Sequence, residues 1–148
     1  MERCIACDLA EGRQPLPGGR IAETDHWLVE HCVGPLGVGA LVVKPRRHVT
    51  RIAELSVSEA AELGPLLQRT AAVVDSLTAA DQIYVSLWSH AGGEPAHIHL
   101  VVQPATAEAI EAYGARGPAL QAAMFARGAA PDPAEVAAFA DAARAALD

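Results

Sequence analysis

The chain has 148 residues, 51% of them apolar, which is the size of one domain and enough apolar matter for a proper core. Its formal net charge of −7 argues against general binding to nucleic-acid backbones, which calls for a basic surface, and no apolar run approaches the roughly 18 residues of a membrane span. Three cysteines and no apolar stretch after Met1-Glu2-Arg3 give a cytoplasmic protein as the expectation, without a disulfide framework or a signal peptide.

Taken in order, Arg20 to Cys32 alternates in polarity around Trp27, Leu28 and Val29 and predicts a strand. Leu41 to Lys44 predicts a second strand that turns at Pro45, the two forming a meander. Ser56 or Ser58 is placed to cap a helix running to about Leu77, with Glu59 and Glu62 in its first turns. Its apolar stripe is Leu63, Leu66, Leu67, Val73 and Val74, and Pro65 is expected to kink or restart it. Gln82 to Trp88 reads as a third strand, joined by a loop to a fourth strand that begins at His97 and pairs with it antiparallel. After Pro104 the composition shifts toward alanine, and three helices are predicted: Thr106 to about Tyr113, Gly117 to Arg127, and Asp132-Pro133 to Leu147. The last has Asp132 as N-cap, Pro133 at the first helical position and Glu135 at the third. Leu120, Met124, Phe125, Val136 and Phe139 need a surface to pack on, either this subunit's sheet or a second subunit. The fold class is therefore α+β in a single domain, residues 1–148, a mostly antiparallel sheet with a packed helix plus C-terminal helices.

His97-Ile98-His99 opens an otherwise apolar strand, and the strand period of two puts both imidazoles on one face, with Val101 and Gln103 continuing it. Each imidazole needs partners for its ring nitrogens, so the pair is either two hydrogen-bonded core histidines or part of a metal, phosphate or proton-transfer site. Cys4 and Cys7 are spaced to chelate one ion, which supplies half of a four-coordinate zinc site. Histidines at strand ends are natural donors for the rest, and the set proposed is Cys4, Cys7, His48 and His97, a closed structural site. Lys44, Arg46, Arg47 and Arg51 form the one basic cluster, beside His48, and Cys32 reads as a small buried apolar residue.

These separated motifs, in this order, resemble the histidine triad (HIT) family of nucleotide hydrolases and nucleotidyl transferases. The resemblance runs from Cys4 to Pro104 and rests on Cys4-Ile5-Ala6-Cys7, on Gly39-Ala40-Leu41-Val42-Val43-Lys44-Pro45-Arg46-Arg47-His48-Val49, and on Gly92 followed by His97-Ile98-His99. It implies zinc held by the same four residues and a nucleophile at the second triad position, His99, whose neutral nitrogen would attack an α-phosphorus. It also implies a homodimer formed through the Gln82 to Trp88 strand and its helix.

The pattern is incomplete. Val101 stands at the third triad position and Ala40 at that of a further histidine, while Gly34-Pro35 replaces an Asn-Pro pair. Donors to a bound phosphate then have to come from Ser89, His90, the backbone at Gly92 and Gly93, and Gln103. Two readings follow: an enzyme that hydrolyses or transfers a nucleotidyl group through His99, or a zinc-stabilised nucleotide-binding or interaction protein that has lost catalysis.

Overall fold

In the computed structural model, residues 4–89 and 96–148 are described. The elements are α1 (Ile5–Ala10), β1 (Arg20–Glu23), β2 (Trp27–His31), β3 (Leu41–Pro45), α2 (Val57–Leu77), β4 (Ala80–Leu87), β5 (Leu100–Thr106), α3 (Ala107–Tyr113), α4 (Pro118–Arg127) and α5 (Pro133–Leu147). The five strands form one antiparallel sheet in the order β1-β2-β3-β5-β4. Arg20 to Cys32 is two strands, not the single one predicted, because Thr24 Oγ1 accepts from the backbone N–H groups of His26 and Trp27 and turns the chain between them.

Strand alternation divides the sheet into two sides. Trp27, Val29, Leu41, Val43, Leu100 and Val102 face one side, where they pack with Leu66, Val73 and Val74 of α2 and Ala140 and Ala143 of α5. Ala40, Val101 and Ala105 face the other, packed with Leu36, Ile110 of α3, and Leu120 and Met124 of α4. The C-terminal helices thus cover both sides of this chain's own sheet. At Gly18 (φ 78°) an added Cβ would lie 2.5 Å from the Ala140 side chain, and Arg144 Nε donates to the Arg20 carbonyl at 3.0 Å. A side chain at Gly18 would both strain the left-handed turn and push α5 away.

Of the two serines that the sequence offers as caps for helix α2, Ser56 is the one used. The serine hydroxyl accepts from the Glu59 N–H at 3.1 Å, and the Glu59 carboxylate accepts from the Ser56 N–H at 2.7 Å. Pro65 lies inside the helix without ending it: the helical span runs unbroken over 21 residues, because α2 lies along the sheet and its packing offsets the one lost hydrogen bond. Glu59 also binds Arg47 through both carboxylate oxygens, and its carbonyl accepts from Trp27 Nε1 at 2.8 Å. The Arg47 guanidinium, followed by the Ser56 N–H, holds the Glu59 carboxyl down at about 2, against an ordinary 4.5. Because the folded-state value is depressed, the stabilisation is complete above pH 4.5 and is lost as pH falls toward 2. Ser56→Ala should cost about 1 kcal/mol. Glu59→Ala should cost roughly 2–3 kcal/mol, since it removes the cap and leaves Arg47 unpaired, and its penalty relative to the parent should shrink as denaturant midpoints are followed below pH 4.5. Equal penalties for the two variants, or a Glu59→Ala penalty constant with pH, would contradict this account.

Candidate metal centre and histidine site

Strand β5 begins at Leu100, so His97, Ile98 and His99 precede the ladder instead of opening it as predicted. The segment remains held, with Ile98 N–H donating to the Val49 carbonyl at 2.8 Å. His97 is 5% exposed, and both of its ring nitrogens are engaged. Nε2 lies 2.9 Å from the Pro45 carbonyl, while Nδ1 lies 3.6 Å from Cys4 Sγ and 3.5 Å from Cys7 Sγ. His48, exposed just beyond β3, brings its Nδ1 to 3.4 Å from Cys7 Sγ, and the two imidazoles stand edge to face at 5.1 Å. The cysteine pair is supplied by a helix start: Cys4 is the N-cap of α1 and Cys7 sits in its first turn.

The donor atoms of Cys4, Cys7, His48 and His97 all lie within 4.8 Å of one another. A tetrahedral zinc with bonds of about 2.3 Å to sulfur and about 2.05 Å to nitrogen requires sulfur–nitrogen edges of about 3.6 Å. The observed 3.4, 3.5 and 3.6 Å match that edge. The donor set therefore fits a closed Cys2His2 zinc site, with no position left for a reacting water.

The local electrostatics agree. Burial, with smaller contributions from His48, Lys44 and His99, pushes His97 down to about 4 against the pull of the Pro45 carbonyl, so the ring is neutral at neutral pH, as a metal ligand must be. Burial and the neighbouring Cys4 push the Cys7 thiol up to about 11. The Cys7 thiol without a cation thus resists ionisation, and a bound divalent ion reverses that preference. The Nε2–H to Pro45 bond fixes the tautomer that presents Nδ1 to the cluster.

His99 is half-buried, and its Nδ1 lies 3.2 Å from the carbonyl of His97. Donation from Nδ1–H to that carbonyl leaves Nε2 with its lone pair available. The carbonyl belongs to a residue of the metal cluster, so the cluster and the tautomer of His99 share one peptide unit.

The remaining predicted site residues are placed unevenly. Ser89 is half-buried, two residues beyond the end of β4. His90, Gly92 and Gly93 lie outside the described residues. Gln103 is fully buried: its Oε1 accepts from Gln121 at 3.1 Å and its Nε2 lies 3.1 Å from Met124 Sδ. Its amide is thus spent on α4 and not offered to a ligand. The basic cluster does not assemble. Lys44 is 1% exposed, paired with the buried Glu30, and its Nζ donates to the Ala6 carbonyl at 2.9 Å. Arg47 is held by Glu59, and Arg46 by Glu23 and the Thr24 carbonyl. Cys32 is half-buried and packs against the cluster under α4, as a small apolar residue would, and its sulfur also accepts from the Gly34 N–H at 3.3 Å.

Sequence reasoning missed the Lys44–Glu30 pair. Its signal was one charge inside each of two apolar strands, Trp27-Leu28-Val29-Glu30 and Leu41-Val42-Val43-Lys44, on the same side of the sheet. Through Ala6, between the two cysteines, this pair ties α1 to β3 beneath the metal cluster.

Comparison with solved structures gives full-length matches to histidine triad proteins. A HIT-like protein of Bartonella henselae, described as involved in cell-cycle regulation, superposes with a TM-score of 0.72 at 17% identity, covering 96% of this chain and 94% of that one. The chain has the histidine triad fold. A hypothetical histidine triad nucleotide-binding protein of Sulfolobus tokodaii gives 0.73 at 14% identity, covering 97% and 91%. A Zn-bound histidine triad family protein of Mycobacterium smegmatis gives 0.66 at 24% identity, covering 97% and 92%. These alignments run well past Pro104, so in these neighbours the structural likeness includes the C-terminal helices that the motif resemblance did not reach. No family sequence model and no curated protein matches the chain.

Protein purified without chelators should carry about one zinc per chain, and stripping it should lower the melting temperature. A Cys4→Ser/Cys7→Ser double variant should be metal-free and destabilised to a similar degree; stoichiometric metal or parental stability in that variant would contradict the assignment.

Proposed function

We propose that the chain is a zinc-stabilised, nucleotide-binding protein of histidine triad type that transfers a nucleotidyl group through His99. The observation that carries the reading is the hydrogen bond from His99 Nδ1 to the His97 carbonyl, which leaves Nε2 as a nucleophile on a backbone anchored beside the Cys2His2 cluster. In the first step the Nε2 lone pair forms a bond to the α-phosphorus while the bond from phosphorus to the leaving oxygen breaks, its electron pair departing with the leaving group. In the second, water or another acceptor attacks the phosphorus, gives up its proton to solvent, and restores neutral His99 as the phosphorus–nitrogen bond breaks. Zinc would contribute structure alone. The chain's own residues do the rest: Cys4, Cys7, His48 and His97 hold the segment, and the His97 carbonyl holds the His99 proton.

The neighbours from Sulfolobus tokodaii and Mycobacterium smegmatis, described as nucleotide-binding and Zn-bound, support the ligand and metal classes. No helix among the described residues is long and apolar enough to cross a membrane, and the three free thiols favour a reducing compartment. The competing reading, a binding protein without turnover, is favoured by Val101 and Ala40, both fully apolar and packed under α4.

An α-labelled nucleotide panel, quenched and examined for labelled protein, separates the two. The parent should form an acid-labile adduct, His99→Ala should form none while keeping its zinc, and His97→Ala should lose both metal and labelling. Labelling of His99→Ala at the parental rate would end the enzyme reading. Nucleotide binding without labelling of the parent would replace it with the binding-protein reading.

We also propose a homodimer through β4, an edge strand that exposes Val85 and Leu87 at 47% and 37%, with Trp88 just beyond its end exposed at 37%. Light scattering should give twice the chain mass at micromolar concentration, falling to the single-chain mass in Val85→Lys/Leu87→Lys. A parent that scatters as a single chain would refute the pairing.

A further inference from the structure

The two departures from the triad pattern, Ala40 and Val101, belong to one cluster with Leu36, Leu120 and Met124 beneath α4. Helix α4 also brings a polar side chain to that side of the sheet: Gln121, 4% exposed. Its Nε2 donates to Ser86 Oγ at 3.0 Å and to Gln103 Oε1 at 3.1 Å. Both amide hydrogens are then used, and Ser86 Oγ acts as an acceptor toward Gln121, which leaves the hydroxyl hydrogen free to donate elsewhere. Ser86 is half-buried and pairs directly across the ladder with Val101, so the two side chains leave the same side of the sheet at close spacing. His99 lies just ahead of the ladder, next to Leu100, whose side chain packs in the α2/α5 core; carried one residue back from β5, the alternation assigns His99 to the side of Val101. The Ser86 hydroxyl is therefore the polar group directly opposite the third triad position, diagonal to the nucleophile.

We propose that Ser86, oriented by Gln121 of the C-terminal helix, gives a substrate's α-phosphate the hydrogen bond that Val101 cannot give, with Gln121 acting as the positioning residue. This rests on the nucleotidyl reading of His99. A lone serine hydroxyl on a strand rotates among several rotamers, whereas acceptance from a buried amide fixes the oxygen and directs its hydrogen away from α4. Ala40 and Val101 then have a positive role: they form the apolar floor on which Leu120 and Met124 seat the helix that carries Gln121. The ligand class is a nucleoside phosphate, recognised at a non-bridging phosphate oxygen.

Ser86→Ala, Ser86→Thr and Gln121→Met test the proposal in the zinc-loaded full chain, with His99→Ala as reference. Two readouts are taken: the single-turnover rate of labelling by the α-labelled panel, and the affinity for AMP, GMP, CMP and UMP compared with the corresponding nucleosides. Ser86→Ala and Gln121→Met should label about 10²–10³ times more slowly, the usual effect of losing one phosphate donor. Both should bind the preferred monophosphate roughly tenfold more weakly while binding its nucleoside like the parent. Ser86→Thr, which keeps the hydroxyl, should restore most of both. If the parent labels and Ser86→Ala labels equally fast, the Ser86 proposal falls while the reading of His99 stands. If the parent does not label, the enzyme reading falls, and the monophosphate-against-nucleoside comparison still decides Ser86: an equal loss for both ligands, or for neither, overturns it. Gln121→Met with parental affinity and rate would remove the positioning role.

Discussion

The double engagement of His97 is the constraint on which the rest depends. One ring nitrogen faces two thiols and the other the Pro45 carbonyl, so a single buried side chain joins the start of α1, the end of β3 and the entry to β5. These segments are far apart in sequence: Cys7 and His48 are separated by 41 positions and Cys4 and His97 by 93. A metal that closes such long loops removes much conformational freedom from the unfolded chain. The Lys44–Glu30 pair contributes from below by holding the Ala6 carbonyl. Burying two charges is costly unless they are mutually paired and further hydrogen-bonded, and here the lysine has both a carboxylate and a carbonyl. The arrangement makes α1, only six residues long, a fixed part of the site.

The sheet then separates structural from chemical duties. Its α2/α5 side is a continuous apolar core. Its other side carries the cluster and His99 at one end and, further along β5, the α3/α4 packing with the Gln103–Gln121–Ser86 network. The C-terminal helices are consequently not an appendage. Helix α5 closes the core against β1, and α4 decides which polar groups stand on the side where His99 projects. In this chain the missing third histidine is one aspect of a packing arrangement that begins at Leu120 and Met124.

Much of this was legible in the sequence because it depends on local rules. Two cysteines three positions apart and histidines at strand ends identified the metal set. Capping chemistry placed the start of α5 at Asp132 and narrowed that of α2 to Ser56 or Ser58. What could not be read is non-local. Nothing in the spacing of Lys44 revealed that Glu30 would lie beside it, so four basic residues near His48 looked like a surface cluster when three of them are committed to carboxylates. Gln103 looked available because its strand face was known but the helix above it was not. The strand containing His97 was extended too far back because alternation continues through residues that the metal cluster, and not the ladder, holds in place. The carbonyls of Pro45 and His97, which set the tautomers of the two site histidines, leave no trace in side-chain identity.

The central claim is that the metal cluster, acting through the His97 peptide, fixes His99 with its proton on Nδ1 and its lone pair on Nε2. Nitrogen-15 spectra of the histidine ring nitrogens at neutral pH, taken on zinc-loaded and zinc-stripped protein and assigned with His99→Ala, test it most directly. The account predicts one Nδ1-protonated tautomer for His99 in the loaded form and averaged tautomers after stripping. A His99 ring protonated at Nε2 in the loaded protein, or a signal unchanged by removal of the metal, would contradict it.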